Sequence, residues 1–222
     1  MSLLFLIIVV ALLPYLSAIS YQNIKKLEAM NEGALLAKTP IYLQSIAMQV
    51  IISIIAFVAA RFEHINIQIR STLTAWSLLA GLLFLVLALS LAWITQKHAR
   101  QTQESTLKHL LPDSSTDRIV WVFACLAAAF CEEYIYRGVL FQMMQLQTGQ
   151  IWILSAMISS VVFAFGHGTQ GERAILQIIP FALGFHLLAY WSNGLLLPMI
   201  VHFLYNVLVE LLFGEKIKKS AS

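Results

Sequence analysis

Apolar residues run along this chain in long unbroken blocks separated by short polar stretches, rather than alternating or recurring on one face. Seven blocks approach or exceed the roughly 20 residues that cross a bilayer. They cover residues 2–20, 41–60, 72–95, 118–144, 151–167, 174–191 and 195–213. Each is expected to be a helix, because backbone polar groups in hydrocarbon must be satisfied within their own segment. The expected fold is therefore all-α, a polytopic integral membrane protein of about seven transmembrane helices, with eight the alternative count. The longest connection, 96–117, has 22 residues and leaves no room for a soluble domain. The first block lacks the basic start of a secretory signal, since no Lys or Arg precedes Lys25, so it reads as a retained span.

Composition agrees with that pattern. The chain is 59% hydrophobic and only 11% charged, with mean hydropathy +0.80, which excludes an ordinary soluble domain. The net charge of +3 says little as a total, but its placement is informative. With the loops assigned alternately to the two sides, Lys25, Lys26, Lys38, Lys97, Arg100, Lys108, Arg118, Arg173, Lys216, Lys218 and Lys219 share one side. Arg61 and Arg70 fall on the other, and Arg137 lies inside a span. The positive-inside rule then puts the N-terminus outside and the C-terminus in the cytoplasm. These basic loops need no nucleic-acid partner to explain them; the partner they imply is the lipid bilayer. Cys125 and Cys131 are six apart in one apolar block, without metal-type spacing, and read as packing residues.

The chain divides by chemistry at the polar loop. Residues 1–117 read as transmembrane scaffold helices and that loop, the three spans being apolar apart from scattered Ser, Thr, Gln and one Gly. Residues 118–222 hold the polar-bearing spans and a short basic tail. Ser114, Ser115, Thr116 and Asp117 are candidate caps for the fourth helix. Gly149 marks a tight turn, Gly166, Gly168 and Gly171 a loop, and Pro180 a kink inside the sixth span. Pro198 falls in the first turn of the last span, where its missing N–H costs little.

Ionisable and amide side chains occur in three of these late spans, as Glu132-Glu133-x-x-x-Arg137, Phe163-x-x-x-His167 and His202-x-x-x-Asn206. Charge at bilayer depth is expensive, so such residues face the bundle interior and serve a pathway or a reaction. On a helix Glu133 and Arg137 can pair at i,i+4, while Glu132 points about 100° around the axis. The pair reads as structural, and Glu132 is left free for proton transfer. His167 ends an apolar run, where a lone histidine is more often a helix-end hydrogen-bonder. His202 and Asn206 share one face and can both donate hydrogen bonds to a developing oxyanion. Interhelical hydrogen bonding explains them as well. Alternatively, His202 could join His167 and a glutamate as a metal ligand set. His186 reads as a packing residue and Glu210 as reaching the interface.

The ordered set EExxxR, FxxxH, HxxxN resembles the CPBP family, the CAAX prenyl endopeptidase and bacteriocin-processing group of intramembrane proteases, also called the abortive infection family. The likeness extends to the surroundings. Cys131 to Phe141 resembles that family's EEhhaRGhhF segment, and Val162 to Gly168 its FxxxH segment. Gly194 to Asn206 resembles its final motif, with Pro198 before the histidine. It covers roughly residues 118–213 and does not reach the first three spans. The resemblance implies an endopeptidase with its catalytic cavity among the last four spans, in a bacterial inner (plasma) membrane. Glu132 would activate water with help from His167, His202 and Asn206 would hold the oxyanion, and Glu133, Arg137 and Phe163 would shape the site. The implied substrate is a prenylated or membrane-associated peptide, a bacterial leader or a small membrane protein. The resemblance leaves room for zinc as a cofactor, which Glu132, His167 and His202 would hold with one open position. The alternatives are a non-catalytic scaffold or regulator of the same fold, and a proton-coupled transporter, against which the lack of an internal repeat counts.

Overall fold

The computed structural model describes residues 2–30, 37–102 and 111–219, with the side chains of Glu28, 95–102 and 216–219 outside that description. The sequence readings on the basic side chains of 97–108 and the tail lysines therefore lie outside the described residues. Seven helices occur among the described residues, and no strand. Helix α1 covers 2–29, α2 Lys38–Phe62, α3 Ala75–Thr102, α4 Ser115–Gln147, α5 Trp152–Gly166, α6 Glu172–Trp191 and α7 Leu196–Lys219. All but α5 are long and apolar enough to cross a membrane. The protein is an integral membrane protein. Large apolar side chains such as Leu83, Leu87 and Leu211 stay exposed, because hydrocarbon is the solvent they face.

Helices outrun their apolar blocks at several ends. The third was expected to stop at residue 95 and continues to Thr102. Hydropathy marks where lipid ends, whereas Lys, Gln and Arg still favour helix. Two helices also widen. In α1 the Leu13 amide bonds to the Ile8 carbonyl, five residues back, just before Pro14, whose ring clashes with a regular i−4 carbonyl. In α4, which the sequence reads as one regular helix, Glu133–Leu140 is π-helical. There the Phe141 amide reaches the Tyr136 carbonyl, which also accepts the Ser159 hydroxyl of α5 at 2.7 Å. Pro180 lies inside α6 as expected, and Gly149 and Gly171 take positive φ at the turns flanking α5.

The two halves of the chain pack as one body. Phe5 and Val9 of α1, Ile52 and Ala56 of α2, Tyr136 and Leu140 of α4, and Phe163 of α5 share one buried cluster. A second cluster joins Leu85 of α3 to Phe185 and Leu188 of α6 and to Leu197 and Val201 of α7. Gly184 makes that approach possible, since a Cβ there would overlap the Phe84 ring. The segment 65–74 straps the start of α7. Gln68 and Ile69 carbonyls accept the amides of Leu195 and Leu196, and Ser71 Oγ accepts that of Leu197. These bonds satisfy first-turn N–H groups that would otherwise be orphaned.

Candidate active site

Helix length sets the depth of the polar residues. Glu132 stands about midway along the 33 residues of α4. Helix α5 has 15 residues, about 22 Å at 1.5 Å per residue, which is short of the roughly 30 Å hydrocarbon core. On its own α5 is therefore too short to carry His167, the residue after it, from one side of such a core to the other. His202 lies about 9 Å along α7 from its strapped start. The chain after His167 turns through a short 3-10 segment, Gly168–Gln170. Non-helical backbone at depth must be satisfied by protein. Ser17 of α1, itself buried, accepts the Thr169 amide at 2.9 Å.

The structure brings the three motifs together. Glu132 Oε2 lies 3.6 Å from His167 Nε2 and 3.9 Å from His202 Nε2. His202 sits between the two glutamates, because its Nδ1 is 2.9 Å from Glu133 Oε1. Glu133 Oε1 is also 3.3 Å from Arg137 Nη1, and both side chains are fully buried. Arg137 adds a hydrogen bond from Nη2 to the Ala182 carbonyl at 3.4 Å. Its guanidinium carbon stands 4.2 Å from the centre of the Phe163 ring and 5.2 Å from that of Phe185. The Phe163 ring centre is 4.3 Å from that of His167. Glu133 and Arg137 thus join α4 to α7 and α6, and Phe163 spaces the guanidinium from the imidazole.

Hydrogen bonds select the tautomers. His167 Nδ1 is 2.9 Å from the Phe163 carbonyl, which only accepts, so Nδ1 carries a proton and donates. A neutral His167 then turns the lone pair of Nε2 towards Glu132 Oε2. Two acceptors at 3.6 Å repel unless something donates to both, and one water can, giving a hydrogen to each. Glu132 Oε2 has no hydrogen-bond partner from protein. His167, His202 and Asn206 line a cavity of about 180 Å³ with Gln177, Phe181 and Tyr205. Helix α3 adds Ala88, Leu91 and Ala92 to its wall. A larger groove of about 470 Å³, between α2, residues 65–69 and α4, is mainly apolar and contains none of these site residues.

Residues 114–208, which hold every motif residue, match the family described as type II CAAX prenyl endopeptidase Rce1-like. The chain is 24% identical over 216 residues to the "Membrane-embedded CAAX protease MroQ" of Staphylococcus aureus (strain USA300), covering 89% of this chain and 85% of that protein. Over its motif-bearing part the chain is thus similar to proteins of the CPBP family. No solved structure matches it.

At this site, zinc is a question of geometry. Zinc needs its ligand atoms about 2.0–2.2 Å away and aimed at one point. Among the described residues no group of three His, Cys, Asp or Glu is arranged to hold a metal ion. Glu132, His167 and His202 do not fit one as they stand, and no step below passes through a metal. Outside the site, His186 packs against Phe141 and Trp152. Glu210, expected at the interface, is instead buried 3.6 Å from Arg118 Nε. Its position on the inward face of α7 outweighs its charge once a partner stands opposite. Two contacts to the site escaped the sequence: Ser17, and Gln49 of α2, whose Nε2 donates to Glu132 Oε1 at 3.1 Å. Gln49 is the more legible, as a polar residue in a helical apolar stripe.

Proposed function

We propose that the protein is an intramembrane endopeptidase that hydrolyses a peptide bond of a membrane-associated or prenylated peptide, using water activated by Glu132 and His167. The observation that carries this reading is Glu132 Oε2, unpartnered by protein and 3.6 Å from the Nε2 of His167, beside a cavity lined by His167, His202 and Asn206. Water held between the two gives its proton to Glu132 as its oxygen attacks the scissile carbonyl, and Glu132 returns that proton to the leaving amine. Asn206 and His202 donate to the developing oxyanion. His202 does so from Nε2 when both its nitrogens carry protons, a charge that Glu133 balances at Nδ1. In that state two carboxylates face one guanidinium and one imidazolium, so the buried set is close to neutral.

The CAAX-type substrate is carried over from the names of the family and the relative, and a bacterial leader or small membrane protein is the other peptide class to try. The loop charges support an orientation with the C-terminus in the cytoplasm, and the family resemblance supports a bacterial inner membrane. Residues 118–222 act as the protease core, and the earlier helices as its scaffold. The test uses purified protein in liposomes with two internally quenched peptides, one farnesylated and ending in a CAAX sequence, the other an amphipathic bacterial leader. Wild type is expected to cleave at least one. Glu132→Gln and His167→Ala are expected to lower the rate about 10³-fold or more, with insertion unchanged. Activity is expected to survive chelation. No cleavage by wild type, or wild-type rates in both variants, would sink the reading.

A further inference from the structure

Gln49 occupies a place where an apolar residue would be expected. Tyr42, Ile52, Ala56 and Ala59 form the buried stripe of α2. Gln49 falls on that stripe, seven residues after Tyr42 and three before Ile52. It is half-buried, and its Oε1 is shut from solvent with no hydrogen-bond partner. Such a half-satisfied amide costs stability that leucine in the same place would not. Packing therefore does not account for it. Its other end does have a task, since Nε2 donates to Glu132 Oε1. Only that orientation is favourable beside an ionised carboxylate, which has no hydrogen to give.

We propose that Gln49 is a positioning residue that divides the work between the two oxygens of Glu132. By holding Oε1, it fixes the carboxylate rotamer and leaves Oε2 directed at His167 and His202. Oε2 is then the oxygen that takes the proton from water. The division is built by the helix pair: α2 packs along α4 with Gln49 opposite Glu132, so the donor is set before substrate arrives. The inference rests on the proposed protease chemistry of Glu132. It also gives α2 a part in the reaction.

The experiment compares wild type, Q49L, Q49E and E132Q in the full-length protein in liposomes. It measures kcat and KM on whichever of the two quenched peptides above wild type cleaves, and melting in detergent. Q49L removes the donor, and kcat is expected to fall about ten- to hundred-fold with KM within about two-fold of wild type. Its melting temperature should not fall, since an unsatisfied amide has been replaced by an apolar side chain. Q49E is the closest in shape yet offers an acceptor beside an acceptor, so its kcat at neutral pH should be lower still. A role in packing alone predicts the opposite order, with Q49E better than Q49L. Q49L within two-fold of wild-type kcat, or Q49E faster than Q49L, overturns the inference while an inactive E132Q leaves the protease reading standing. An E132Q protein that cleaves at the wild-type rate, or a wild type that cleaves neither peptide, overturns both.

Discussion

Two sets of charges connect α2, α4 and α7, one at the start of α4 and one halfway along it. At the start, Asp117 accepts the Thr39 hydroxyl at 2.7 Å, the Ser114 amide at 3.1 Å and the Ser114 hydroxyl at 2.8 Å. Arg118 pairs with Glu210, and Lys38 lies 3.9 Å from Asp113. Halfway along, Glu133 is fully buried with Arg137 and His202, and Glu132 Oε2 and Glu133 Oε2 have no hydrogen-bond partner. The first set caps a helix and matches acceptors with donors near the end of the hydrophobic run. The second keeps open acceptors where desolvation is most costly. Stability alone would favour replacing it with apolar side chains. Its persistence at that depth is what the proposed chemistry explains.

Substitutions in the two sets should therefore behave differently. The largest expected effect on folding is at Glu133→Gln, which leaves Arg137 buried without its carboxylate. A loss of about 3–5 kcal/mol is expected from melting in detergent, with cleavage lost as His202 loses its anchor. Melting at the wild-type temperature would show that Arg137 is balanced by something else. Next, Asn206→Ala should lower kcat about 10²-fold, as removal of an oxyanion donor does, with little change in melting. A change confined to KM would move Asn206 from the reacting carbonyl to substrate binding. Ser17→Val removes the acceptor of the Thr169 amide and should cost about 0.5–1.5 kcal/mol, loosening the turn that follows His167. Unchanged amide-exchange protection over 168–170 would count against that link. The smallest effect belongs to the first set. Thr39→Val removes a partly exposed bond and should shift melting by a few degrees at most, without changing kcat.

Legibility followed the same division. The seven helices could be read because a bilayer requires long apolar runs, and α5 is the one that falls short of about twenty residues. The Glu133–Arg137 pair was legible because i,i+4 spacing is local. His202 against Glu133 was not, since those residues are 69 apart and their contact depends on where α7 begins. Gln49 read as one of several scattered polar residues in a scaffold, because α2 lies outside the motif-bearing part of the chain.

By itself, the sequence determined that this is a helical membrane protein with two carboxylates, two imidazoles, an amide and a guanidinium at bilayer depth. Those features follow from the solvent and from spacing within single helices, which local sequence encodes. Tertiary structure alone decided which oxygen of Glu132 is held and which is open, which nitrogen of His167 carries its proton, and that the first helices support the site. Such choices depend on atoms brought within hydrogen-bond reach from distant segments, and no periodicity along one helix specifies them.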